Sequence, residues 1–71
     1  MNYNERIRAL REDADMKQSE VAAIVGTSQS YYAQYENGHR PIPFDRIVTL
    51  AEFYGVSLDW IAGRSDVKEV K

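Results

Sequence analysis

Gln29, Ser30, Gln34 and Asn37, with Ala33 among them, share one side of the segment from Ser28 to Asn37. Their types suggest recognition of base edges. An amide donates and accepts at once, so a short, uncharged, amide-rich helix face suits the edges of base pairs. On the other side Tyr32 and Tyr35, three apart, form a narrow apolar stripe that would turn inward. The alternative is a helical hairpin whose polar face meets only water.

Such a face needs a support. In residues 18–25, Val21, Ala22 and Val25 share one side of a first short helix. Gly26 follows where a helix-ending left-handed residue is wanted. Ser28 has the short side-chain oxygen that caps the second helix. Two helices joined by a short turn containing Gly form the helix-turn-helix pattern. Lys17 falls at the N-cap of the first of these helices, where it is a poor cap and its charge is unfavourable. A nearby phosphate would relieve both problems. Gln18, first in that helix, has an amide free to reach a DNA backbone oxygen, or simply water. After Asn37, Gly38 ends the second helix, and His39-Arg40-Pro41-Ile42-Pro43 forms a stiff extended link. His39 and Arg40 then stand beside the helix end, within reach of phosphate.

The remaining residues predict the enclosing helices. Asn2 and Glu5 have capping-box spacing, and Tyr3, Ile7, Leu10 and Ala14 recur at helical spacing to about Asp13. Met16 lies in the turn that follows and is expected to plug the core. After Pro43, Phe44, Ile47, Val48, Leu50, Ala51 and Tyr54 form a broad apolar face that Gly55 ends. Ser57 caps a last short helix carrying Leu58, Trp60 and Ile61. Arg64 to Lys71 reads as a charged, frayed tail. The expectation is an all-α, five-helix domain over residues 1–66, followed by a tail at 67–71.

Composition narrows the function. The chain has 71 residues, 44% hydrophobic and 28% charged, which fits one folded domain. No apolar run approaches about 20 residues, so no membrane span is expected. The N-terminus lacks a signal-peptide core, and there is no cysteine and only one histidine. A cytoplasmic protein with no metal and no cofactor is the expectation. Carboxylates are scattered, and no nucleophile is paired with a base, which argues against an enzyme. The net charge is −2, and residues 17–40 balance Lys17 and Arg40 against Glu20 and Glu36. Little basic charge is available to draw in phosphates, so non-specific affinity for DNA should be low.

Several motifs occur in order: Gln18-Ser19-Glu20-Val21-Ala22, Gly26-Thr27-Ser28, Tyr35-Glu36-Asn37-Gly38, Leu50 to Trp60, and Gly63-Arg64-Ser65-Asp66. Together they resemble the phage repressor/Cro-type helix-turn-helix family, also called the XRE family, over residues 3–66. The resemblance implies a lambda-repressor-like fold and sequence-specific binding of double-stranded DNA, usually as a dimer on a two-fold operator. It implies that the helix from about Ser28 to Asn37 enters the major groove. It gives base contacts to Gln29, Ser30 and Gln34, with Ala33 against a thymine methyl. It gives phosphate contacts to Gln18, Ser28, Tyr31, Asn37 and Arg40, and it pairs Arg11 with Glu36. Two positions depart from the pattern. Tyr32 replaces an aliphatic residue, so one of Tyr31 and Tyr32 should be core and the other near the DNA backbone. Gln34 replaces a basic residue, leaving an adenine-type contact open.

Leu58, Trp60, Ile61 and Val67 are the candidate dimer surface, with Trp60 as a core residue the competing reading. A transcriptional regulator, a repressor in particular, is the leading expectation. The second is an antitoxin-like or anti-repressor module that uses the same fold to bind a protein.

Overall fold

Asn2 starts the first helix: its side-chain oxygen accepts from the Glu5 amide at 3.2 Å. The computed structural model describes residues 2–70, so Met1 and Lys71, the outer limits of the expected domain and tail, lie outside the described residues. The helices are α1 (Tyr3–Asp13), α2 (Gln18–Val25), α3 (Gln29–Glu36), α4 (Phe44–Tyr54) and α5 (Leu58–Ile61). This is the expected lambda-repressor-like order.

The turn between α2 and α3 is closed by backbone chemistry. Gly26 adopts φ +83°, a left-handed conformation that costs glycine nothing sterically. Its amide donates to Ala23 and the Thr27 amide to Ala22, at 3.2 and 2.9 Å. This is the Schellman pattern, which satisfies carbonyls the helix leaves open. Ser28 Oγ then accepts from the Tyr31 amide at 3.2 Å and opens α3. At the head of α2, Lys17 is the N-cap without a side-chain cap. Lysine has no acceptor to offer. Glu20 instead reaches back to accept from the Lys17 amide at 2.8 Å and brings a negative charge to the helix start.

The core is drawn from every helix: Ile7, Leu10, Val21, Ala22, Tyr32, Tyr35, Leu50, Ala51 and Ile61, with Ile42 of the link and Val56 of the last turn. Tyr32 and Tyr35 are fully enclosed, edge to face with ring centroids 6.2 Å apart. Met16 packs against this core, as expected. Phe44 does not complete the α4 face; it is 70% exposed, because the first turn of α4 projects beyond the core and Ile47 is the first residue of that face to pack.

The tail is a correction to the expectation of fraying. Val56 and Glu69 form an isolated antiparallel bridge, and the Ser57 amide donates to the Lys68 carbonyl at 2.8 Å. Arg6 holds the same segment from α1. Its guanidinium donates to the carbonyls of Trp60 and, at 2.9 Å, Ser65. It also lies 4.6 Å from the centre of the Trp60 ring.

Candidate nucleic-acid interface

With Tyr32 and Tyr35 turned inward, the opposite side of α3 faces out. Gln29, Ser30 and Asn37 are exposed, and Ala33 and Gln34 are half-buried at its edge. Ser28 and Tyr31 flank its start, and His39 and Arg40 its end, all exposed. Lys17 is exposed and Gln18 half-buried at the head of α2. Ser28 Oγ and Ser30 Oγ are 3.5 Å apart. Of the two adjacent tyrosines, Tyr32 is core and Tyr31 is 38% exposed beside the reading face.

A relay of polar contacts fixes this face to the rest of the molecule. Arg11 Nε and Nη2 donate to the two oxygens of Glu36 at 2.8 and 3.1 Å. Arg11 Nη1 also donates to the Met16 carbonyl at 3.0 Å, so one guanidinium joins α1, the turn and α3. Gln18 Nε2 donates to Glu36 Oε1 at 3.2 Å, and Gln29 Nε2 to Gln18 Oε1 at 3.4 Å. A carboxylate can only accept, so Glu36 dictates which end of the Gln18 amide turns to it. Gln18 in turn leaves the Gln29 carbonyl oxygen facing outward.

Glu36 is 4% exposed, yet it is charged. Burial opposes its ionisation, but hydrogen bonds from Arg11, with Tyr32 and Gln18 favouring the charge, hold it below the usual carboxylate range. The Tyr32 hydroxyl lies beside this carboxylate without completing a hydrogen bond of good geometry. Its own proton is held more tightly than usual, first by burial and then by Glu36. The hydrogen bond to Glu36 likewise raises Arg11 above its ordinary value. The net effect is to cancel the one carboxylate of α3, leaving Lys17 and Arg40 as cations of this face.

The arrangement places amide and hydroxyl side chains together on the exposed side of one helix. Among the described residues, no cluster of His, Cys, Asp and Glu side chains could hold a metal. Among the described residues, no helix is long and apolar enough to cross a membrane.

A helix-turn-helix family model matches residues 7–61, most of the chain. The chain belongs to the helix-turn-helix family. Like its members by sequence, it is 35% identical over 69 residues to the uncharacterized HTH-type transcriptional regulator YobD of Bacillus subtilis (strain 168), covering 97% of this chain and 62% of that protein. It is 33% identical over 64 residues to the cryptic phage CTXphi transcriptional repressor RstR of Vibrio cholerae, covering 90% of this chain and 58% of that one. The chain thus spans about three-fifths of the length of these curated relatives. Among solved structures, the P22 c2 repressor in complex with a synthetic operator superposes with a TM-score of 0.81 at 23% identity, covering 92% of this chain and 98% of that one. A transcriptional regulator from Listeria innocua gives 0.83 at 21%, covering 99% and 64%. At these identities the likeness is one of fold.

This helix-turn-helix chain also uses residues that sequence reasoning missed. Asn4 Nδ2 donates to the Glu36 carbonyl at 3.3 Å, tying α1 to the end of α3. The Tyr3 hydroxyl donates to the Arg40 carbonyl at 3.4 Å and accepts from the Ile42 amide at 3.2 Å, so it holds the link. Arg46 Nη1 donates to the Tyr35 hydroxyl at 2.8 Å. Arg6, between the apolar positions of α1, is buried. Only long-range contacts reveal these roles; no local pattern signals them.

The dimer candidates do not all share a surface. Val67 is exposed and Leu58 and Trp60 are half-buried, but Ile61 is fully enclosed in the core and is withdrawn from that set. The four-residue α5 has one side against α1 and α4, and Ile61 lies on it.

Proposed function

We propose that this chain binds double-stranded DNA in a sequence-specific manner and regulates transcription as a repressor, placing α3 in the major groove. One observation carries the reading: α3 presents Gln29, Ser30 and Gln34 outward on a helix braced by Arg11, Glu36 and Gln18. Gln and Asn amides recognise base edges, and bidentate pairs of this kind discriminate by about 1–3 kcal/mol each. Lys17, Gln18, Ser28, Tyr31, Asn37, His39 and Arg40 surround that face as the phosphate-contacting set, which fixes register. The relatives' descriptions as a transcriptional regulator and a repressor support the reading, as does the operator bound to the P22 c2 repressor. The protein acts in the cytoplasm, needs no cofactor and performs no catalysis.

One helix reads one half-site, so the working species is a homodimer on a palindromic operator. Leu58 and Val67 line an open groove of about 700 Å³ between α4, α5 and the tail, with Val48, Val56 and Val70. Val67 and Val70 are 45% and 65% exposed there, which supports this side as the dimer surface. The same groove favours a second reading, the antitoxin-like module, in which it takes a protein partner.

Selection from a random duplex pool at low salt, then salt titration of the enriched duplex, tests the proposal. A palindromic site with a shallow salt dependence supports amide-led readout by a dimer. No enrichment at any salt from folded protein rejects it.

A further inference from the structure

Arg40 lies outside α3, yet it is bound to Gln34 twice. Its backbone amide donates to the Gln34 carbonyl at 3.2 Å, alongside the His39 amide at 3.0 Å. Its side-chain Nε donates to Gln34 Oε1 at 3.3 Å. The guanidinium is held from the other side by Tyr31, whose ring centre is 4.6 Å from Cζ. Tyr31 in turn meets the buried Tyr35 edge to face, with centroids 5.8 Å apart. Tyr3 fixes the Arg40 carbonyl from α1. The Arg40 side chain is therefore positioned by Gln34 and Tyr31 of α3, while Tyr3 holds its backbone from α1.

That contact has a polarity. Arginine has only donors, so the end of the Gln34 amide turned toward it must be the carbonyl. The amino group then points away, and Gln34 offers hydrogen-bond donors outward. Gln29 is turned the other way, because its amino group is engaged by Gln18. The two amides of one reading face thus present opposite chemistry.

We infer that Arg40 is a specificity-positioning residue, which by holding the Gln34 carbonyl turns the Gln34 amino group toward the base and so favours a keto base, guanine or thymine. The inference rests on the proposed DNA reading and refines it. In the major groove guanine presents O6 and N7 and thymine presents O4, all acceptors, whereas cytosine presents an amino donor and adenine an amino donor beside N7. A free Gln34 amide would pair with adenine through both its ends. One whose carbonyl is already bound by Arg40 favours the keto edge. This role is additional to the phosphate contact proposed for Arg40, which strengthens binding to every sequence alike and which the charge of a lysine would keep.

The test is duplex selection with the wild type and with Q34A, R40K and Q34E, each first shown to be folded by circular dichroism. Q34A identifies the operator position that Gln34 reads, as the one where preference vanishes. R40K keeps the charge but loses the planar Nε contact. It is expected to relax preference at that same position by about tenfold, while affinity for an unrelated duplex changes less than about twofold. Q34E, which turns a donor into an acceptor, is expected to abolish the keto preference. In wild-type binding, an analogue with hydrogen in place of the keto oxygen at the Gln34 position should weaken affinity about tenfold. R40K lowering affinity for all duplexes equally, or leaving the Gln34 position unchanged, would overturn the inference with the DNA reading intact. A wild type that selects nothing removes both.

Discussion

Arg11 and Glu36, 25 residues apart, meet in a two-point ion pair at 2.8 and 3.1 Å, with side-chain exposures of 15% and 1%. The pair joins the first helix to the end of the helix that carries the proposed reading face. Because Gln18 donates to the same carboxylate and Gln29 to Gln18, the pair also sets the direction of an amide at the surface. Fold stability and readout meet at one buried carboxylate.

Removing one member should therefore cost far more than breaking a surface ion pair. R11A strands a buried carboxylate, and a loss of about 3 kcal/mol in urea denaturation is expected. E36Q should cost less, because a neutral amide can still meet Gln18 and Arg11 retains some solvent. R11M combined with E36Q should recover much of the R11A loss. A loss below about 1 kcal/mol for R11A would match a solvated pair instead.

Glu36 also sets an acid limit. Its folded-state pKa lies below its ordinary value, so between the two the unfolded chain binds a proton that the folded chain does not. Stability contributed by this group is complete above the unfolded value of about 4.3 and is lost as pH falls through the depressed folded value. Thermal melts across pH 2–7 should show this decline in the wild type, and E36Q should flatten it.

At alkaline pH the sign reverses. Burial pushes the Tyr54 hydroxyl up to about 12, and burial with Glu36 pushes Tyr32 further in the same direction. Both raised values contribute stability that is complete below the unfolded pKa of about 10 and lost as pH rises through the folded ones. In an ultraviolet titration, Tyr32 and Tyr54 should yield phenolate only as the chain unfolds. The Y32F and Y54F variants should each remove one such late-titrating group.

Arg6 makes a fourth test, toward the opposite end of α1. It donates to two carbonyls and stacks on Trp60, while Lys68 Nζ approaches the same ring at 5.2 Å. R6A leaves both carbonyls without this donor, and a loss of about 2–3 kcal/mol is expected. Trp60 is the only tryptophan, so its fluorescence reports the same contact. R6A should shift the emission, and R6K should restore it only in part, because an ammonium cannot span two carbonyls while stacking.

The local chemistry of the fold was legible in the residues. Gly26 marks the turn, Ser28 the cap of α3, and the three-residue spacing of Tyr32 and Tyr35 the buried stripe, because each signal acts within one or two helical turns. The outward set Gln29, Ser30, Ala33 and Gln34 followed from that stripe. What escaped depends on distant partners. Nothing near Arg6 in the sequence marks it as buried, because its partners Trp60 and Ser65 lie more than fifty positions away. Tyr3 reads only as an apolar residue of α1, although its hydroxyl serves the link at Arg40 and Ile42. The tail reads as frayed because its charges are visible, while its backbone bonds to Ser57 are not. Ile61 reads as surface because a four-residue helix is too short to show a periodic face.

The most direct measurement of the central claim is a nitrogen-15 NMR titration of the folded protein with a duplex from the selection. The largest shifts are expected at the backbone amides of Ser28 to Gln34 and Arg40 and at the side-chain amides of Gln18, Gln29 and Gln34, with α4 nearly silent. Shifts concentrated at Val48, Val56, Val67 and Val70, with the α3 face unmoved, would contradict it and move the binding site to the groove on the other side.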